Sequence, residues 1–123
     1  MPAIDRPLPD AGDIVWIDFG SPSGHEQAGR RPALVVSPAS YNKLSSMILV
    51  CPLTRSEKPW PFKVAVTETA GISGFVLADQ VHSIDPTIRV FGSRGRVPQR
   101  VLAEVRAKLV AVILGQAGEL PAN

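Results

Sequence analysis

The sequence predicts a mainly β domain in which six or seven short strands form a small barrel or strongly bent sheet, followed by one amphipathic C-terminal helix. Three observations carry this reading. Between residues 12 and 97, apolar residues alternate with period two or run continuously in short stretches, the patterns of half-buried and buried strands respectively. Glycine, proline and small polar residues interrupt these stretches often, which suits turns between short strands better than long helices. Only after Pro98 does the apolar period change to that of a helix.

Each element follows in order. Residues 1–11 contain Pro2, Pro7 and Pro9. Proline removes backbone donors and favours extended geometry, so a loosely ordered lead-in is expected. Residues 12–19 alternate as a half-buried strand, with Val15, Ile17 and Phe19 on one face and Ile14 and Trp16 on the other. Residues 33–37 form the core of a second strand. Between the two, Gly20, Pro22, Gly24 and Gly29 mark irregular backbone, which puts His25, Glu26 and Gln27 on a surface loop. Residues 38–46 fit either one turn of helix or a plain connection. Residues 47–53 are a continuous apolar run, read as a buried strand ending at Thr54.

Residues 55–61, RSEKPWP, make a polar loop broken by prolines. Residues 62–67 alternate again, with Phe62, Val64 and Val66 on one face. A glycine-containing turn at 70–74 leads into two short strands, 75–78 and 81–84, separated at Asp79 and Gln80; residues 89–97 read as a last strand or its edge. The closing helix spans 98–114. Val101, Leu102, Val105, Leu109, Val112 and Ile113 share one stripe, Pro98 suits the first turn and Gly115 the stop.

Composition bounds the function. A chain of 123 residues, 45% hydrophobic and 20% charged, is expected to form a single domain over 1–123. The net charge of +2 permits an anionic partner without demanding one. The one cysteine, Cys51, lies in an apolar run, so no intramolecular disulfide framework exists, and with only two histidines besides, a Cys/His zinc site is not expected. A reducing, cytoplasmic setting follows. The first residues lack the apolar core of a signal peptide, and no apolar run reaches the roughly 18 residues of a membrane span. No cofactor and no membrane partner are expected.

The loop at 20–29 carries the most specific signal. Gly24, Glu26, Gln27, Gly29, Arg31 and Pro32 precede an apolar run, and further pieces follow in order: Pro52-Leu53-Thr54 at a strand end, Leu77-Ala78-Asp79-Gln80-Val81, Ser83-Ile84-Asp85, and the terminal helix. This series resembles the MazF/PemK family, the toxin halves of bacterial toxin–antitoxin pairs, which are sequence-selective endoribonucleases. The resemblance runs along nearly the whole chain. It implies an SH3-like barrel with added helices, a homodimer, and cleavage of single-stranded RNA to a 2′,3′-cyclic phosphate and a 5′-hydroxyl.

Cleaving RNA without a metal requires a group that removes the 2′-hydroxyl proton, groups that stabilise charge on the phosphoryl oxygens, and a proton for the leaving 5′-oxygen. Arg31 has a planar donor fork suited to phosphate, although a loop arginine can equally close onto a carboxylate. Thr54 by itself is an ordinary strand terminus, and Glu26 an ordinary solvated carboxylate. The resemblance implies that Arg31 and Thr54 hold the phosphate and that Glu26 accepts the proton. His25 departs from the small polar residue expected before the Glu-Gln pair. An imidazole titrates near neutral pH, so it is an alternative proton acceptor, with base stacking or simple exposure the preferred reading.

Gln27, Arg30, Arg55, Lys58 and Lys63 flank the loops that would meet over the site, and Phe19 and Trp60 offer flat faces for unpaired bases. The alternative is a solvated basic surface with partly buried aromatics. A second basic set, Arg89, Arg94, Arg96 and Arg100, could bind RNA, a partner's acidic tail, or nothing. His82 and Cys51 read as structural. The resemblance also implies a cognate antitoxin whose acidic, flexible C-terminal segment covers the RNA groove. A different class of function is a non-catalytic barrel toxin that binds a protein such as gyrase, or an RNA-binding module without cleavage. Residues 115–123 offer no apolar anchor for a protein target, which favours the enzyme.

Overall fold

The apolar runs and their glycine and proline breaks fold into seven strands and three helices among the residues that the computed structural model describes, 8–20, 24–25, 29–69 and 71–115. In chain order these are β1 (Asp13–Asp18), β2 (Arg30–Val35), α1 (Ala39–Ser45), β3 (Ile48–Thr54) and β4 (Lys63–Thr69), then β5 (Ile72–Leu77), β6 (His82–Ile84), α2 (Pro86–Arg89), β7 (Val90–Arg96) and α3 (Gln99–Leu114). The strands lie in the order β4-β5-β3-β2-β1-β7, with β6 added on β3. Every ladder is antiparallel.

β3 is the strand about which the sheet bends. Its start pairs with β6, Ile48 opposite Ile84, and its end pairs with β5, Leu53 opposite Val76 and Thr54 opposite Phe75. The bent, mainly β sheet with a terminal helix is therefore the observed architecture, with seven strands.

The first three strands are buried on both faces. On one face Ile14, Leu34 and Cys51 join Val64, Val66 and Val76 beneath Val101, Leu102 and Val105 of α3. On the other, Val15, Ile17, Ala33, Val35, Ile48 and Val50 pack with Ile84, and Phe19 and Val90 lie at the margin. Alternation in β1 thus does not mark a half-buried strand. Ile14 is as buried as Ile17, because the bent sheet supplies a separate core to each face.

The expected loose lead-in does not extend to Ala11. Ala11 belongs to the core. The Asp10 carboxylate accepts hydrogen bonds from the Ala39 and Ala11 N–H groups, both 2.8 Å, and so caps α1 from a distant part of the chain. Asn42, fully buried, donates to Pro9 O at 2.8 Å and to Ser37 O at 3.1 Å, while the Ser37 hydroxyl donates to its Oδ1. A buried amide has to find such partners, and the N-terminal backbone supplies one of them.

Pro98 is the residue before α3 rather than part of its first turn, and Gly115 closes the helix in the left-handed conformation. The apolar stripe is buried only in its first half. Val101, Leu102 and Val105 are buried and Leu109 packs at the core's edge, whereas Val112 and Ile113 are exposed together with Val110 and Leu114. No helix among the described residues is long and apolar enough to cross a membrane.

Candidate active site

Strand register brings Arg31 and Thr54 together. β2 and β3 pair with Ala33 opposite Pro52 and Leu34 opposite Cys51, so the same register carried outward sets Arg31 opposite Thr54. There the Arg31 guanidinium reaches across and Nη1 donates to Leu53 O at 3.1 Å. Thr54 is buried at 8% exposure, and its Oγ1 accepts the Ser56 N–H at 3.2 Å.

Both residues line an open cleft of about 370 Å³. Arg30 and Pro32 flank Arg31 on β2, Leu53 and Arg55 flank Thr54, and Gly71, Ile72 and Ser73 form the wall where β5 begins. Trp16 of β1 and Arg94 of β7 complete it. Four arginines and no carboxylate lie among these residues, so the cleft suits a polyanion. Burial pulls the Arg31 pKa below the ordinary guanidinium value. The group remains a cation at working pH, and partial desolvation strengthens its field toward a bound phosphate.

Two cation–π contacts hold arginines beside this cleft. The Arg94 guanidinium sits 5.5 Å from the centroid of the Trp16 ring and that of Arg30 4.4 Å from that of Phe91. Such contacts orient long side chains that would otherwise be mobile.

The structure gathers some of the sequence-predicted residues and separates others. Arg30, Arg31, Thr54 and Arg55 meet at the cleft. Glu26 and Gln27 lie outside the described residues. The stem of their loop is closed by Phe19 N–H to Gly29 O at 2.9 Å and Gly29 N–H to Gly20 O at 2.8 Å, and His25 is exposed on it. Phe19 packs on the second core and meets His82 edge-on, 5.0 Å between centroids, away from the cleft lining. Lys58 is exposed in the 55–61 loop. The Trp60 indole N–H donates to Asp79, and its ring meets Phe62 edge-on. Neither Lys58 nor Trp60 lines the cleft.

Of the second basic set only Arg94 reaches the cleft. Arg89 donates to Asp18 O at 3.2 Å, Arg96 pairs with Asp13 and donates to Ala11 O, and Arg100 is exposed on α3. Cys51 is buried, and burial pushes its thiol up to about 12.

Sequence reasoning missed Trp16 and Ser73 as cleft residues and left Arg94 open within the second basic set. Trp16 carried a signal, since it is the large aromatic on the face of β1 that also holds Ile14. Gly74 was read only as part of a turn. Its φ is +153°, and a Cβ there would lie 2.7 Å from Thr54 O, so glycine lets β5 pass directly against the site. Among the described residues no group of three or more His, Cys, Asp or Glu side chains is arranged to hold a metal ion.

Residues 10–113 match the family model of PemK-like, MazF-like toxins of type II toxin–antitoxin systems. The chain belongs to this family. It is 40% identical over 110 residues to the endoribonuclease toxin MazF of Escherichia coli K12, covering 89% of this chain and 98% of that protein. The endoribonuclease toxin ChpB of the same organism is 37% identical over 109 residues, covering 85% and 93% respectively. The crystal structure of MazF from Deinococcus radiodurans superposes with a TM-score of 0.81 at 46% identity, covering 90% of this chain and all of that one. A MazE–MazF complex from the same organism matches with a TM-score of 0.73 at 43% identity, covering 90% and 99%. The protein is thus a MazF-type endoribonuclease toxin.

Proposed function

We propose that this MazF-type toxin cuts single-stranded RNA at a short sequence by an internal transphosphorylation that needs no metal ion. The 2′-hydroxyl beside the scissile phosphate loses its proton to Glu26 and attacks phosphorus. A 2′-oxygen–phosphorus bond forms as the bond to the 5′-oxygen breaks, and a proton delivered to that oxygen balances the one removed. The products are a 2′,3′-cyclic phosphate and a 5′-hydroxyl. Arg31 and Thr54 hold the phosphoryl oxygens, where negative charge grows in the transition state.

The observation that carries this reading is the meeting of Arg31 and Thr54 at one end of an arginine-lined cleft. Arg30, Arg55 and Arg94 extend the phosphate-binding surface, and Trp16 offers a face for a base. In the sequence, the segment bearing His25, Glu26 and Gln27 leads directly into the Arg30–Arg31 end of β2.

Replacing the single ribose at the scissile step with deoxyribose is the deciding experiment. Cutting is expected to stop, binding to persist, and chelator to have no effect on the native RNA. Normal cutting of the deoxy-substituted RNA would overturn the mechanism, and loss of activity in chelator would replace it with metal-assisted hydrolysis.

Two partners belong to the same proposal. The cleft's positive lining suits an antitoxin with an acidic, flexible C-terminal segment, and the family's solved relatives include MazE–MazF complexes. The exposed apolar end of α3 supports a symmetric homodimer, which would join two basic clefts into a longer groove. The setting is the cytoplasm, where the RNA substrate and the antitoxin are both made.

A further inference from the structure

Lys63 opens β4 outside the cleft lining, yet its bonds lead straight to Thr54. Its Nζ donates to Ser56 O and to Lys58 O, both at 2.7 Å. It also lies 5.5 Å from the centroid of Phe75, the residue paired with Thr54 across β3 and β5. One ammonium therefore grips two carbonyls of the 55–61 loop. Ser56, whose carbonyl is held, is also the residue whose N–H donates to Thr54 Oγ1 at 3.2 Å.

A threonine hydroxyl has one hydrogen to give and two lone pairs to accept with. With the Ser56 N–H donating to Oγ1, the hydroxyl hydrogen cannot point at that N–H and is left to turn toward the cleft that Thr54 lines. A phosphate oxygen needs a donor, so this orientation is the useful one. We propose that Lys63 is a positioning residue for cleavage: by fixing Ser56, it makes Thr54 present its hydroxyl hydrogen to the scissile phosphate.

Besides Lys63, that end has the short-range bonds of Ser56 N–H to Thr54 Oγ1 at 3.2 Å and of Lys58 N–H to Ser56 Oγ at 3.3 Å, which join residues two apart and do not anchor the loop to β4. Residues 55–61 are all exposed and lie outside the sheet. The far end is tied separately, by Lys63 N–H to Trp60 O, by Lys108 Nζ to Pro61 O and by the Trp60 indole to Asp79. Removing the Lys63 ammonium thus frees the Ser56 end while leaving the other ties and the β4 core residues Val64 and Val66 in place.

The inference rests on the role given to Thr54 under the proposed function, and a double-mutant cycle separates the two. Cleavage of an RNA oligonucleotide carrying a mapped site is measured at single turnover for wild type, Lys63→Met, Thr54→Ala and the double variant. Binding is measured with the uncleavable deoxy-substituted oligonucleotide across a salt series. Lys63→Met is expected to slow cleavage about tenfold to a hundredfold, the range for misplacing a catalytic group. Affinity, its salt dependence and the melting temperature should stay near wild type. In the Thr54→Ala background the Lys63 substitution should have no further effect, and Lys63→Arg, which can still reach both carbonyls, should recover most of the rate.

Losses that add in the double variant, or a weaker affinity with a shallower salt slope, would show Lys63 acting on RNA directly and overturn the inference alone. So would an unchanged rate in Lys63→Met. A Thr54→Ala protein that cuts normally would overturn the reading of the site and this inference with it.

Discussion

Arg31 donates from Nη1 to Leu53 O, and its side chain borders the cleft. That arrangement fixes the plane of the guanidinium before substrate arrives, which is what electrostatic stabilisation requires. Arg31→Ala is expected to lower single-turnover cleavage on the order of a hundredfold to a thousandfold, with binding of a deoxy-substituted RNA much less affected. Arg31→Lys should recover little, because an ammonium cannot hold Leu53 O and a phosphate in the same plane. Near-normal cleavage by Arg31→Ala would remove it from the site. Gly74 gives a second test. Adding a Cβ 2.7 Å from Thr54 O forces the β5 backbone or Thr54 to move, so Gly74→Ala should cost about 1–3 kcal/mol in urea unfolding and reduce cleavage in parallel. A variant with full stability and activity would show that the site tolerates the shift. Arg31 and Thr54 were legible in the sequence through the motifs around them. Trp16 and Ser73 were not, and Arg94 stood only within a basic set of open role, because only folding brings β1, the start of β5 and β7 to one cleft.

Among the elements, α3 was the most legible, since its apolar stripe and its closing glycine agree, although Pro98 lies just before the helix and not in its first turn. α1 was left between a turn and a connection because its sequence, ASYNKLS, has no strong helical period and no capping side chain of its own. The missing cap comes from Asp10. Backbone N–H groups, Ala39 first and Ala11 second, hold the Asp10 carboxyl below its ordinary value of 3.8, with smaller help from Arg96 and Arg106 and partial opposition from burial. A lowered folded-state pKa means that the stabilisation is fully present above pH 3.8 and is lost as pH falls through the lowered value. Asp10→Ala should therefore destabilise at pH 7 by about 1 kcal/mol or less, since the carboxylate is partly open to solvent. Urea midpoints for variant and wild type should converge in acid, and a gap that stayed constant would rule out the charge as its source. α2 escaped notice for a related reason. A single turn has no period to read, and only Asp85, accepting from Thr87 N–H, followed by Pro86 marks its start.

At the scale of the whole molecule, α3 runs past the core it covers. Val110, Ile113 and Leu114 are 50%, 69% and 59% exposed, an apolar surface at the end of a helix whose first half packs on the core through Val101, Leu102 and Val105. Light scattering of the purified toxin at micromolar concentration is expected to give twice the chain mass, and Ile113→Asp to shift it toward the monomer. A monomeric wild type would remove both the dimer and the joined groove.

The double burial of β1 to β3 also shapes how freely this protein can change. A strand with one wet face accepts polar residues at every second position, but here neighbouring positions such as Ile14 and Val15, or Leu34 and Val35, are closed alike. In cells carrying a library of variants, the toxin kills whatever still folds and cuts, so survivors report loss of function. Along Ile14–Ile17 and Ala33–Val35 the inactivating polar substitutions should form unbroken blocks, while in β4 they should fall on Val64 and Val66 and skip exposed Ala65 and Thr67. The evolutionary freedom of the chain is thus concentrated in its later strands and in the loops around the cleft, where a change of RNA target can arise without rebuilding the sheet.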